Sequence, residues 1–366
     1  MEKRTIALIA TLIVIAAAIV YLGQFTPNKS YTGSAVAPGN RTAINAEKAQ
    51  KYEYAKEIAE PSGYINADNI TIGGLVGKEV ILVDFWTYSC INCVRTIPYL
   101  NTWYAKYHSE GLEIIGVHTP EFQFEHNIDN VRQAVGKYGI RYPVVLDNNY
   151  ATWASYKNQY WPADYLIDID GFVIYKHYGE GDYDTIEGEI QDLLRERGAA
   201  LGINVTIPNS TGIPGNAVAV DFSRVGSPET YFGSAKNEFL GNGRQYTAGQ
   251  QDFALPATLD QNVLYLTGKW NFTEEYAETI GNSSIVYRYD AKNVYFVASA
   301  RNATAVTVNL DGKRVISDAG ADVSDGVVTI GDERLYSVIE GTGYGVHTLE
   351  LDIPWSGLRA YTFTFG

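Results

Sequence analysis

Cysteine is nearly absent from this chain: its 366 residues include two, Cys90 and Cys93. A secreted domain stapled by disulfides carries several pairs spread along its length, so that class is excluded. A single close pair is either redox-active or half of a metal site. Histidine is sparse as well. His108, His118, His126, His177 and His347 form no spaced pair that could complete a zinc site, which leaves the redox reading. Basic residues are outnumbered, 28 Lys and Arg against 42 Asp and Glu. The net charge of -14 argues against nucleic acid or an anionic membrane surface as partner. Long apolar runs are missing too, with one exception near residue 1.

That exception is the uncharged run Ile6 to Leu22, preceded by Lys3 and Arg4. At about 1.5 Å per residue it spans roughly 26 Å as a helix, just short of a hydrocarbon core. It reads as a membrane anchor. A cleaved signal peptide, with Ser34-Ala35-Val36-Ala37 as cleavage site, is the competing reading, and its apolar region is normally shorter. Either way the basic flank stays cytoplasmic and everything after residue 23 lies outside. Asn-x-Ser/Thr sites at Asn28, Asn40, Asn69, Asn204, Asn209, Asn271, Asn282 and Asn302 all follow the run, where composition alone gives about three. Both N-glycosylation and a bare Ser/Thr/Asn-rich surface fit that excess.

Residues 1–23 are thus the expected anchor. Residues 24–60 are polar, without apolar periodicity, and read as an extracytoplasmic stalk; as a flexible coil its ends would lie roughly 30–40 Å apart. Residues 61–198 carry an α/β pattern. Val80–Trp86 is a buried strand broken by one acid, and Cys90–His108 has helical spacing. Strands at 112–117, 142–146 and 165–168 follow, then a hairpin through Asp170-Gly171 into Phe172–Tyr178 and a closing helix at 183–197. A mixed sheet covered on both faces is expected. Residues 199–219, rich in Gly, Asn, Ser, Thr and Pro, form a linker. From 220 to 366 the helical period vanishes. Short alternating runs such as Val263–Phe272, Val294–Ala298 and Arg359–Phe365 predict an all-β sandwich, a jelly roll.

The cysteine pair follows a buried strand and opens a helix. There the unpaired backbone N–H groups and the helix dipole favour a thiolate. Cys90, at the helix tip, is expected to attack a substrate disulfide, and Cys93, one turn inward, to resolve the mixed disulfide.

The segments VDFWTYSCINCVRTIPYL, GVHTPEF, YPVVLDN and YWPADYLID resemble the thioredoxin-like domain of the DipZ family, relatives of TlpA and the redoxins. SPETYFG, LTGKWNF, LDGKRV and AYTFTFG resemble that family's carbohydrate-module-like β-sandwich, and the likeness covers roughly residues 60–366. The resemblance implies an α/β thioredoxin fold and disulfide exchange whose redox group is the Cys90–Cys93 disulfide itself, with no further cofactor. It implies that Asp84 is the buried acid that shuttles a proton to the resolving thiol. It also implies that Pro98 kinks the active-site helix and that Trp161-Pro162 forms the cis-proline loop facing the cysteines. Trp86, Trp161, Ile91 and Asn92 are then the expected substrate rim. DipZ proteins carry a multi-helix electron-transferring membrane domain, whereas this chain shows a single apolar run. A reductase of this form needs a separate membrane electron donor of the CcdA or DsbD kind, and its expected substrates are exported cysteine-bearing proteins.

Two rival readings come from other classes. A peroxidase motif, Pro-x-x-x-Thr-x-x-Cys, is half present: Thr87 stands three before Cys90, but Val83 occupies the proline position. A surface glycan- or protein-binding module would use aromatic residues of the sandwich, Trp270 and Trp355 among them. His118, Glu121, Glu125 and His126 cluster after the second strand and read as a solvated loop shaping the rim, not a metal site.

Overall fold

The structure is a computed structural model and describes residues 42–208 and 211–366. The expected anchor, the cleavage site and the sequons at Asn28, Asn40 and Asn209 lie outside the described residues. Among the described residues no helix is long and apolar enough to cross a membrane.

The α/β half opens with α1 (Thr42–Lys48), β1 (Gly63–Ile65) and α2 (Ile72–Leu75). Then come β2 (Val80–Trp86), α3 (Ile91–Tyr107), β3 (Leu112–His118), α4 (Ile128–Lys137) and β4 (Val144–Leu146). The half closes with α5 (Ala151–Tyr156), β5 (Ala163–Ile167), β6 (Val173–Tyr178) and α6 (Tyr183–Leu201). Its sheet runs β1-β4-β3-β2-β5-β6, with β2, β3 and β4 parallel and the rest antiparallel. All seven residues of β2 are buried, which is why that strand reads as a continuous apolar run. Ile81, Val83 and Phe85 pack on one face with Tyr156 and Tyr165. Val80, Leu82 and Trp86 pack on the other with Cys93, Ile97, Leu100 and Trp103 of α3 and Ile186 and Ile190 of α6. Asp84 is the one polar residue on that second face of β2.

Residues 49–60, placed in the stalk by the sequence reading, pack on the domain. Tyr54 stacks on Phe172 at 4.2 Å, Ala55 N–H donates to the Gly171 carbonyl, and Ala55 and Ile58 are buried. The segment extends the β5–β6 hairpin instead of hanging free, through the Tyr54–Phe172 bridge and the Val173 N–H bond to the Glu53 carbonyl. Lys48 fastens it, its Nζ lying 2.5, 3.2 and 2.6 Å from carboxylate oxygens of Asp168, Asp170 and Glu196. The helix α6 runs to Leu201, slightly into the stretch read as linker.

The C-terminal half holds β7 (Thr230–Tyr231), β8 (Gly249–Phe253), β9 (Leu264–Phe272), β10 (Ala277–Thr279), β11 (Ser283–Ala300) and β12 (Thr304–Leu310). After them come β13 (Lys313–Arg314), β14 (Val323–Ser324), β15 (Val327–Ile330), β16 (Arg334–Ile353) and β17 (Leu358–Phe365). All named pairings are antiparallel, and hydrogen bonding is continuous in the order β14-β15-β12-β16-β11-β17-β10-β9-β8. One edge of β11 serves two partners in turn, β9 at Ser284–Tyr287 and β17 at Val294–Ala300, which folds the sheet around its own core. Trp270 lies in that core with no exposure, whereas Trp355 is 68% exposed, so the two do not form a shared stacking platform.

The halves share a core. Tyr295, Val297, Leu335 and Tyr361 of the β half belong to the same buried cluster as Cys93 and Trp103. Tyr361 packs edge-on against Phe122 and Phe124 at ring distances of 5.2 and 4.9 Å. Tyr231 Oη donates to Glu121 at 2.7 Å, and Tyr88 Oη donates to the Glu333 carbonyl at 3.4 Å.

Candidate active site

Cys90 is the N-cap residue of α3, half-buried, and its thiol lies 3.9 Å from the Trp161 carbonyl oxygen. Cys93, one turn in, is 1% exposed. Both are free thiols. Burial is the largest cause pushing the Cys93 thiol well up, followed by Cys90 and by the charge of Asp84. The pair is therefore asymmetric: one sulfur faces solvent at a helix tip, and the other sits in the core and cannot ionise without a base. Pro98 lies inside α3 as expected, and the Trp161-Pro162 bond is cis, with its loop facing Cys90.

Asp84 sits behind Cys93, 1% exposed, and neither carboxyl oxygen has a hydrogen-bond partner among the described residues. Burial, and then the facing Asp164, hold its carboxyl far above the usual carboxylate range. Asp164 is the register partner of Asp84 across β2 and β5, is itself buried, and is pushed up to about 7 by burial. Asp164 carries no signal of its own in the sequence, because strand register is not visible in a single chain.

The expected rim divides. Trp161 and Asn92 are half-buried at the site; Trp161 packs on Trp153 at 4.3 Å and donates from Nε1 to the Thr119 carbonyl, and Asn92 accepts from Arg95 at 2.7 Å. Trp86 and Ile91 are core residues, 1% and 5% exposed, and so leave the rim. Trp86 is on the face of β2 that α3 covers, and its indole uses the space beside Gly116, where an added Cβ would meet Nε1 at 2.9 Å.

The loop acids also move. Glu125, read as solvated, is fully buried. Its Oε1 accepts from Thr87 Oγ1 at 2.5 Å and from Ser89 Oγ and N at 2.6 and 3.3 Å; its Oε2 accepts from the N–H groups of Glu121 and Phe122 at 2.6 and 2.9 Å. Burial raises it to about 7 against the opposing pull of these donors. It ties the loop that carries Cys90 to the loop that packs on Tyr361. His118 is likewise buried, and burial lowers it to about 3, so its ring stays neutral. A buried ion pair, Arg95 with Glu180 at 2.8 Å, flanks the helix and was also unforeseen. Among the described residues the acids that do come within metal-holding distance are Asp168, Asp170 and Glu196, and the Lys48 ammonium stands among them.

A strand, a helix capped by Cys90, a cis-proline loop and a buried acid form a site of the thioredoxin-like class. Residues 56–193 match the Redoxin family, and residues 227–366 match the family described as "Thioredoxin like C-terminal domain". Thiol-disulfide oxidoreductase ResA of Bacillus cereus is 31% identical over 136 residues, which are 35% of this chain and 76% of that protein. A thioredoxin-like protein solved in its oxidised form shares 23% identity with a TM-score of 0.37, covering 40% of this chain and 97% of the other. The chain belongs to the thioredoxin-like thiol–disulfide oxidoreductases. Over both matched domains it resembles Protein DipZ of Mycobacterium tuberculosis, 39% identical over 316 residues, 85% of this chain. The chain spans 43% of the length of that relative.

Proposed function

We propose that this oxidoreductase works outside the cytoplasm, held at the membrane by Ile6–Leu22, as a reductase or isomerase of exported cysteine-bearing proteins. The observation that carries the exchange chemistry is the asymmetry of the pair, an accessible Cys90 at the tip of α3 and a buried Cys93 backed by Asp84. The Cys90 thiolate attacks a substrate disulfide, and one substrate sulfur leaves as a thiol while the other stays bonded to Cys90. Cys93 then yields its proton to Asp84 and attacks Cys90 Sγ, forming the Cys90–Cys93 disulfide and releasing the second substrate thiol. Two electrons and two protons from a membrane donor of the CcdA or DsbD kind restore the dithiol. The location rests on the basic flank and apolar run of the sequence.

Cys93→Ser tests both halves of this reading. It keeps the nucleophile but removes resolution, so native substrates accumulate on Cys90 as mixed disulfides. Mass spectrometry of non-reduced adducts from the native cell is expected to recover exported proteins and a polytopic membrane protein. Adducts drawn only from the cytosol would overturn the location. Insulin reduction with dithiothreitol that survives Cys90→Ala would overturn the mechanism.

A further inference from the structure

Residues directly opposite on neighbouring strands share a face, with Cβ atoms about 4.5–5.5 Å apart. Asp84 on β2 is opposite Asp164 on β5, and Asp164 is opposite His177 on β6. The face is the one that α3 and α6 cover, since Leu82, Leu166 and Tyr175 on the same strands pack there with Cys93. Three ionisable side chains thus form a row across three strands, running from beneath Cys93 to the edge strand. Each holds buried polar atoms without a hydrogen-bond partner among the described residues: both oxygens of Asp84, Oδ1 of Asp164 and Nε2 of His177. The far end reaches water. The His177 side chain is 13% exposed, and its Nδ1 lies 3.7 Å from Asp182, whose side chain is 70% exposed.

A buried carboxyl without donors loses stability for the fold, and a second one beside it adds to the loss, since the charge of Asp164 raises Asp84 further. Packing alone would be better served by apolar residues, as at Leu82 and Leu166 in the adjacent register pair. We propose that Asp164 and His177 are relay residues that carry the Cys93 proton from Asp84 to the edge of the sheet. The proposal rests on the disulfide-exchange reading. In the step concerned, Cys93 S–H breaks and its proton goes to the Asp84 carboxylate. The sulfur's electron pair forms the Cys93–Cys90 bond, and the Cys90–substrate bond breaks with its pair leaving on the substrate sulfur. The row drains Asp84 before that step as well as after it: Asp84 passes its proton to ionised Asp164, Asp164 to His177, and His177 to water beside Asp182, so the carboxylate that Cys93 needs forms at the pace of the row. The other titratable groups that face this row are Cys90 on α3, Tyr142 before β4, Tyr175 on β6, and Glu189 on α6, whose charge reaches Tyr175. Burial holds Asp164 near 7, where it can both take and give a proton at neutral pH.

Reaction of the reduced full chain with 5,5'-dithiobis(2-nitrobenzoate) separates the steps in one stopped-flow trace. Attack by Cys90 releases a first coloured thiolate at a rate proportional to reagent. Attack by Cys93 on the mixed disulfide releases a second at a rate independent of reagent, and that leaving group needs no proton. Asp164→Asn and His177→Ala are expected to keep the first phase and slow the second about tenfold, less than the roughly hundredfold or more of a group that takes the proton directly. In Asp164→Asn the second phase also titrates at lower pH, because Asp84 has lost its negative neighbour. Added imidazole is expected to restore the second phase of His177→Ala and to leave Asp84→Asn slow. An unaltered second phase in both variants overturns the relay, as does equal slowing of both phases with no response to imidazole. A reduced chain with no reagent-dependent first phase would sink the exchange reading and the relay together.

Discussion

Two buried carboxyl groups flank the cysteine pair, and their surroundings are opposite. Glu125 is met by donors on both oxygens, from Thr87, Ser89, Glu121 and Phe122. Asp84 is met by none among the described residues and faces a second acid. Equal burial therefore yields two functions. A carboxyl met by donors on both oxygens is a fastener, whose place is held by the hydrogen bonds it organises. A carboxyl left without donors is free to gain and lose a proton, and the fold tolerates its cost for that reason.

The comparison breaks most visibly at Glu125. Glu125→Ala strands the buried donors of Thr87 and Ser89 and is expected to cost about 1–3 kcal/mol for each donor left unpaired, seen as a lower midpoint in denaturant unfolding. Cys90 attack slows with it, since the loop before the helix loses its tie. An Ala variant as stable as the parent would remove Glu125 from the site's framework.

Asp84→Asn is expected to do the reverse, keeping the fold and slowing mixed-disulfide resolution by about 100-fold with attack nearly unchanged. Equal effects on both steps would make Asp84 structural.

Stability against pH sharpens the contrast. Asp84 and Asp164 have folded-state values raised above their unfolded ones, so the native state binds more protons and stability falls as pH climbs from about 4 through 7. Asp164→Asn is therefore expected to raise Tm at pH 8 by a few degrees, about 2–4 °C per kcal/mol, and to change it little at pH 4. Differential scanning calorimetry at the two pH values checks the sign; a uniform shift would deny the titration.

The smallest effect belongs to the rim. Trp161→Phe loses the hydrogen bond to the Thr119 carbonyl and is expected to cost about 1 kcal/mol. It should alter which adducts Cys93→Ser traps more than how fast Cys90 reacts, as paired trapping experiments would read directly.

Local chemistry was the legible part of this molecule. The apolar run of β2 interrupted by Asp84, followed at once by Cys90 at a helix start, is contained in adjacent residues, and so is the alternation that marks the β half. Contacts set by register or docking left no local trace. Asp164 and His177 join Asp84 only through strand pairing, and Trp86 moves from rim to core because Gly116 opens space for it from the next strand. Glu125 looks like a solvated loop acid until the Cys90 loop folds over it, and residues 49–60 look free until Tyr54 meets Phe172. The short acidic sequence at 168–170 likewise became intelligible only with Lys48 in its midst.

Tyr361 gives the molecule a further property. Its ring is packed against Phe122 and Phe124 while its backbone belongs to β17, between β11 and β10. A residue that is at once a strand member of one half and core of the other links their cooperativity, since neither can open without exposing the same buried aromatics. The two halves then melt as one calorimetric unit, and amides near Cys90 exchange with deuterium no faster than those of β17.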